Sequence, residues 1–330
     1  LPAQVAEMIN ADALTPINDL IDDIGRDKFA EAAISEGTMD GNNYSVPLYR
    51  HAHVMWIRKD LLEKNGLEVP KTWDELYDTA KALTKDGVYG LSFPCGTNDF
   101  QATFFLDFYV RSGGGSDLAI DGINYWLKVY NDCSPKDSIN FDVLDQATLY
   151  YQGKTAFDFN SGFQISGVAA NSPDLLQYVD CYPIPKINAD DPDEGIMTTN
   201  TPMVVWKASK HPEICKAFMK TLYDEDTYVE FLHATPVGML PAIKGIADTD
   251  AYKDDDTIRQ FTHAEEVLTA AADIGTAFGY EHGPNVQAGI MQNNHVIEDM
   301  FQDIITNGTD VKTAAKTAED KLNALFETAE

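Results

Sequence analysis

Short apolar segments that read as buried strands alternate along this chain with amphipathic stretches of helical spacing, and that alternation confines the fold to the α/β class. The clearest helical pair covers residues 59–66 and 73–85. A turn signal, Gly66-Leu67-Glu68-Val69-Pro70, joins them, with Thr72 as N-cap and Glu75 as its capping-box partner. Tyr89 to Phe93 reads as a short buried strand ended by Pro94, which has no N–H for a ladder. Residues 100–111 return to helical spacing, and the glycines from Gly113 to Gly115 stop them. Further helices are expected over 142–152, 212–222, 225–232, 259–270 and 311–326, and further strands over 155–159 and 203–206. The turn Asn160-Ser161-Gly162 would present backbone groups at a strand end, and the acidic stretch 190–194 reads as a solvated loop.

With 330 residues the chain exceeds the usual size of one hydrophobic core, so two lobes are expected. Lys and Arg number 24 against 53 Asp and Glu, a net charge of −29. Such a surface repels nucleic acid and anionic membranes, both of which are held by clusters of cations. No apolar run reaches the roughly 18 residues that mark a membrane-spanning helix. No signal segment is visible in the opening residues Leu1 to Val5.

Known chemical motifs give little. Cys95, Cys133, Cys181 and Cys215 form no CxxC pair, so a zinc or redox site built on sulfur is not expected, while disulfides and free thiols both remain open. Gly153-Lys154-Thr155 resembles the end of a phosphate-cradling loop, but Thr148 stands where the first glycine is required. His51 and His53 could share one face of an extended segment, yet nothing nearby completes a metal set. HExxH and GxSxG are both absent. No catalytic residue, metal or cofactor is therefore assigned.

Three segments, Asp40-Gly41-Asn42-Asn43-Tyr44-Ser45-Val46-Pro47, Trp56-Ile57-Arg58-Lys59-Asp60-Leu61-Leu62 and Pro70-Lys71-Thr72-Trp73-Asp74-Glu75-Leu76, resemble in order and spacing the extracellular solute-binding proteins of family 1. These form the maltose-binding-protein-like group of ABC importers. Gln152-Gly153-Lys154-Thr155-Ala156-Phe157 looks like that family's F-x-x-G-K-A-A-M segment. Ser209-Lys210-His211-Pro212-Glu213, Gly238-Met239-Leu240-Pro241 and Gly283-Pro284-Asn285 extend the likeness over nearly the whole chain.

The resemblance implies a two-lobed, type II periplasmic-binding-protein-like fold, with the opening strand-helix-strand of the first lobe missing before Leu1. The first lobe would take 1–50 and 202–256 and the second 51–201 and 257–330, with crossings near 50–53, 197–201 and 254–256. It also implies a monomer outside the cytoplasm, periplasmic or anchored as a lipoprotein, which holds a solute between its lobes, closes on it and presents it to a membrane permease.

Sugars offer apolar ring faces rimmed by hydroxyls, so a sugar site pairs aromatic rings with polar side chains. The first crossing supplies Tyr49, Arg50, His51 and His53, and the loop after 89–93 supplies Asn98, Asp99, Phe100 and Gln101. Asn160, Ser161 and Phe163 follow the 155–159 strand, Phe163 at a position where relatives stack an aromatic on the sugar. Tyr280, Glu281, His282 and Asn285 close the set. Competing structural roles are core packing for Phe100 and Phe163, a salt bridge for Arg50 and a helix cap for Asp99. Trp56, Trp73, Trp126 and Trp206 are expected in the core. A neutral mono- or oligosaccharide is the first solute. Glycerol phosphate, a polyol or a polyamine is the alternative, and a carbohydrate-active hydrolase is the reading from another class.

Overall fold

The computed structural model describes residues 2–113, 119–191, 197–281 and 283–327. Eight strands occur among them: β1 (Thr38–Met39), β2 (Asn42–Asn43), β3 (Ser45–Ala52), β4 (Val54–Arg58), β5 (Phe157–Asn160), β6 (Val179–Tyr182), β7 (Thr198–Val204) and β8 (Leu240–Pro241). The chain separates into two compact units. The first comprises Leu1–Ala52, Ser161–Phe163 and Met197–Gly289, and the second His53–Asn160, Gln164–Ile196 and Ile290–Glu330.

In the first unit β3 is the central strand, antiparallel to both β7 and β8. Its register with β7 shifts between Pro47 and Tyr49, where proline cannot donate to the ladder. Ile17, Leu20, Ile21, Phe29, Val46, Val205 and Met219 form the core under this sheet.

The second unit is organised on β4, flanked by β5 and β6. Val54, Met55, Trp56 and Ile57 are all fully buried, so the strand is apolar on both faces and reads as a continuous run rather than an alternation. The core beside it is aromatic. Phe93 stacks on Trp126 at 5.3 Å, and Trp73 meets Trp126 edge-on at 5.5 Å. Both indoles find acceptors, Trp126 Nε1 on the Phe105 carbonyl at 2.7 Å and Trp73 Nε1 on Ser112 Oγ at 2.5 Å, as buried N–H groups require.

Helices Lys59–Asn65 and Trp73–Leu83 form where expected, and the latter has the full Thr72/Glu75 capping box. Asp142 caps the helix Val143–Tyr151 in the same way. Gly153, at φ +70°, then ends that helix, a backbone role that explains the Gly-Lys-Thr coincidence. Helix Gln101–Ser112 ends before Gly113, while Gly114 and Gly115 lie outside the described residues, as does 192–194 of the acidic stretch.

Several expectations need correction. Tyr89 to Phe93 is not a ladder strand. Tyr89 makes an isolated bridge to Thr155, and beyond it Leu91 and Phe93 bond to Cys133 O and Ser134 Oγ instead of to a strand. The strand expected at 203–206 is β7, and it stops at Val204. Trp206, past its end, is 51% exposed and is not a core residue. Residues 257–289, expected in the second lobe, pack with the first unit, and the chain passes to the second unit at 289/290 rather than at 254–256. The physical tie is the helix Thr262–Ile274, held against β3 by Arg50, and the Thr198 N–H bonded to Thr276 O at 3.1 Å. All four cysteines are free thiols. Cys95, Cys133 and Cys181 are buried, and burial pushes Cys133 up to about 12 and the other two well above the usual thiol range.

Candidate solute site

Strand alternation gives β3 two different faces. Arg50, on one, is buried and donates through Nη1 to Asp273 Oδ1 at 3.1 Å and through Nη2 to the Ala272 carbonyl. Its pairing partner across the ladder, Asn200, bonds the buried carboxyl of Glu36, which burial raises to about 7. Arg50 is thus engaged inside the unit.

Tyr49 and His51 share the other face. Their rings lie 6.1 Å apart, and Phe163 lies 6.4 Å from Tyr49 and 6.2 Å from His51. Phe231 joins at 6.2 Å from Tyr49. All four side chains are partly exposed, so the rings form an accessible group. Burial of its surroundings pushes His51 down to about 4, so its imidazole is neutral at neutral pH and offers one donor and one acceptor.

Phe163 stands there because of a close backbone approach. A Cβ on Gly162 would lie 2.1 Å from the Val237 carbonyl oxygen, and one on Gly238 would lie 3.3 Å from the Phe163 ring. Val237 adopts φ 65°, a strained value for a β-branched residue, and it is fully buried at the contact.

In the second unit His53 is buried against Phe108 at 5.7 Å and Phe104 at 5.9 Å, and Phe100 extends the group 5.0 Å from Phe104. Asp99 does not cap its own helix. It accepts from Phe100 N and, at 2.8 Å, from Val143 N, tying the loop to the start of the next helix, while its carbonyl accepts from His295 Nδ1 at 2.9 Å. Asn98 is exposed, Gln101 is buried, and Asn160 is partly exposed at the end of β5. Trp56 Nε1 donates to the Asn160 carbonyl at 3.1 Å.

The remaining candidates divide. Ser161 is buried in the turn beside Phe163. Tyr280 is an interior residue whose hydroxyl donates to Pro2 O at 2.7 Å among Ala3, Ala6, Ala277 and Ala288. Glu281 is exposed, and Asn285 is spent locally on Gly279 O and Gln287 N. His282 lies outside the described residues. Phe231 and the buried Asp158 are not singled out by the sequence reading. Phe231 has a legible signal, an aromatic near the end of the 225–232 helix. Asp158 has none, since an acid inside an apolar strand looks like any other of the many carboxylates. Among the described residues no group of three or more His, Cys, Asp or Glu could hold a metal, and no helix is long and apolar enough to cross a membrane.

Each unit thus has an antiparallel sheet, with Tyr49, His51, Phe163 and Phe231 grouped in the first and His53, Phe100, Phe104 and Phe108 in the second. The family model for bacterial extracellular solute-binding proteins matches residues 1–228, and the chain belongs to that family. YcjN of Escherichia coli (strain K12), named as a periplasmic-binding protein of an ABC transporter, is 21% identical over 93% of this chain and 74% of its own length. The arabinooligosaccharide-binding protein of Halalkalibacterium halodurans is 23% identical over 94% of this chain and 72% of its own. Among solved structures, a ribitol complex of an ABC transporter solute-binding protein from Agrobacterium radiobacter K84 superposes with a TM-score of 0.83 at 17% identity, covering 98% of this chain and 83% of that one. Maltose-bound MalE3 of T. maritima gives 0.81 at 20% identity, covering 97% and 82%. The fold is therefore that of the MalE-like binding proteins.

Proposed function

We propose that this chain is the solute-capturing component of an ABC importer, works outside the cytoplasm, and takes up a neutral sugar, oligosaccharide or polyol without transforming it. The observation that carries the reading is the accessible group of Tyr49, His51, Phe163 and Phe231, three carbon rings with a neutral donor-acceptor imidazole among them. Such a group suits a ring face edged with hydroxyls. Arg50, the one cation among the sequence candidates, is committed to Asp273 and Ala272, which disfavours a phosphate solute that needs cationic partners. The ligands of relatives agree in kind: an arabinooligosaccharide, maltose, ribitol, tagatose and mannitol.

Capture in this reading is a population shift. A solute that binds one conformation of the chain better than another raises that conformation's share, and a membrane permease senses the change. A monomer, anchored as a lipoprotein or free in the periplasm, completes the proposal. Thermal-shift screening against sugars, polyols, polyamines and phosphates tests it, because a ligand at 100 times its Kd adds about 2.7 kcal/mol. Stabilisation by a neutral polyhydroxy compound is expected. Stabilisation by phosphates or polyamines alone would reassign the solute, and turnover of a glycoside would make the chain a hydrolase.

A further inference from the structure

The middle of β5 carries a carboxylate that pairs with no cation among the described residues. Asp158 is 1% exposed and pairs with Trp56 across the sheet. Gln146 Nε2 donates to its Oδ1 at 2.5 Å, Gln164 Nε2 donates to its Oδ2, and the Asn160 side chain donates to it as well. Gln146 and Gln164 are themselves fully buried. Taking a carboxylate out of water without a counter-ion is costly, and an apolar side chain would fill the same space at less cost. What the carboxylate supplies is geometry. Asn160 and Gln164 are the residues immediately before and after the segment Ser161–Phe163, so one side chain holds both flanks of the segment that bears Phe163.

We propose that Asp158 is a positioning residue for solute binding: it never meets the solute, and by gripping Asn160 and Gln164 it fixes Asn160 and both ends of the segment Ser161–Phe163. The proposal rests on the solute-binding reading above. The amide oxygens Oε1 of Gln146 and Gln164 have no hydrogen-bond partner, so the network holds spare acceptors. If Asp158 takes up a proton, rotating either amide presents Oε1 to the new O–H, and the grip is rebuilt with a different set of bonds. Burial lifts this carboxyl to about 7, so both forms are populated near neutral pH. Tyr150 and Tyr151, at the end of the Val143–Tyr151 helix, feel its charge, and Arg58 of β4, whose charge acts on Tyr150, is paired with Asp60 at 2.7 Å.

Two variants separate the roles. Asp158→Asn keeps the shape and, with one amide rotated, the grip, while removing the proton; Asp158→Ala removes the grip. Hydrogen exchange of the unliganded full chain, read over residues 157–168, should be faster by about tenfold in Asp158→Ala and within about threefold of wild type in Asp158→Asn. Equal protection in wild type and Asp158→Ala overturns the grip. Calorimetry with maltose, ribitol, D-mannitol and tagatose gives the second readout. For a compound that wild type binds, Kd should rise about tenfold in Asp158→Ala and about threefold or less in Asp158→Asn. Because the grip is rebuilt on protonation, Kd of wild type should change by about threefold or less between about pH 6 and pH 8. An unchanged Kd in a folded Asp158→Ala overturns the positioning role. If wild type binds none of the four, that result counts against the solute reading alone, and the exchange comparison decides the grip. If Asp158→Ala does not fold, Gln164→Ala, which removes one arm of the grip, decides: exchange over residues 157–168 equal to that of wild type overturns the proposal.

Discussion

Replacing Gly162 by alanine adds a single methyl group at the most crowded point beneath Phe163. The new carbon would lie 2.1 Å from the Val237 carbonyl oxygen, 2.7 Å from its carbonyl carbon and 3.1 Å from Gly238 Cα, all of them backbone atoms. A flexible side chain could swing aside, but a backbone already strained at Val237 cannot. The turn must therefore retreat by about 1 Å, at the cost of about 2 kcal/mol typical of overpacking. Gly162 is not among the residues with positive φ, so the cost is steric alone. Gly41 supplies the comparison: φ is +77° but nothing lies within 4 Å of where its Cβ would stand, so Gly41→Ala should cost about 1 kcal/mol through backbone strain. Urea unfolding with matched m-values would measure both. Because the retreat carries Phe163 with it, the affinity for whichever sugar or polyol binds should also fall about tenfold, which is about 1.4 kcal/mol. A Gly162→Ala protein as stable as wild type, with unchanged affinity, would refute both the close approach and the placing of Phe163 by it.

Three further outcomes follow from named contacts. Thr72→Ala breaks the capping box with Glu75 and should lower stability by about 1 kcal/mol, measured by chemical denaturation. Glu36 carries a carboxyl raised from 4.5 to about 7, so its contribution to stability is complete below about pH 4.5 and is lost as pH climbs through 7; Glu36→Gln should therefore gain on wild type across that window and keep a constant margin above it, in unfolding titrations run at each pH. Thiol labelling of the native chain should reach Cys215 alone, because the other three thiols are buried and pushed away from the thiolate, whereas all four should react in urea.

What could be read in advance follows from the range of the interactions involved. The Thr72 cap, the Asp142-led helix and the strand before Asn160 are set by residues within a few positions of one another, and they form as their local pattern demands. Tyr49, His51 and Phe163 were identifiable as ring-bearing residues next to expected crossings and turns, and the structure brings these three together. Arg50 and Tyr280 looked equally available, but their partners, Asp273 and Pro2, lie more than 200 positions away. The length of β7 was missed for a related reason. Thr198 to Asn200 carries no apolar signal, and it is strand because β3 offers it a ladder. Asp158 is the extreme case, since its role depends on two glutamines and an asparagine on different elements, and its letter matches dozens of surface acids.

The most direct measurement is equilibrium dialysis of the folded chain against neutral sugars and polyols, with the retained compound identified by mass spectrometry. One intact molecule per chain, recovered chemically unchanged after long incubation and lost when Phe163→Ala is used instead, is the predicted result. Retention of no neutral compound, or recovery of cleavage products, would contradict it.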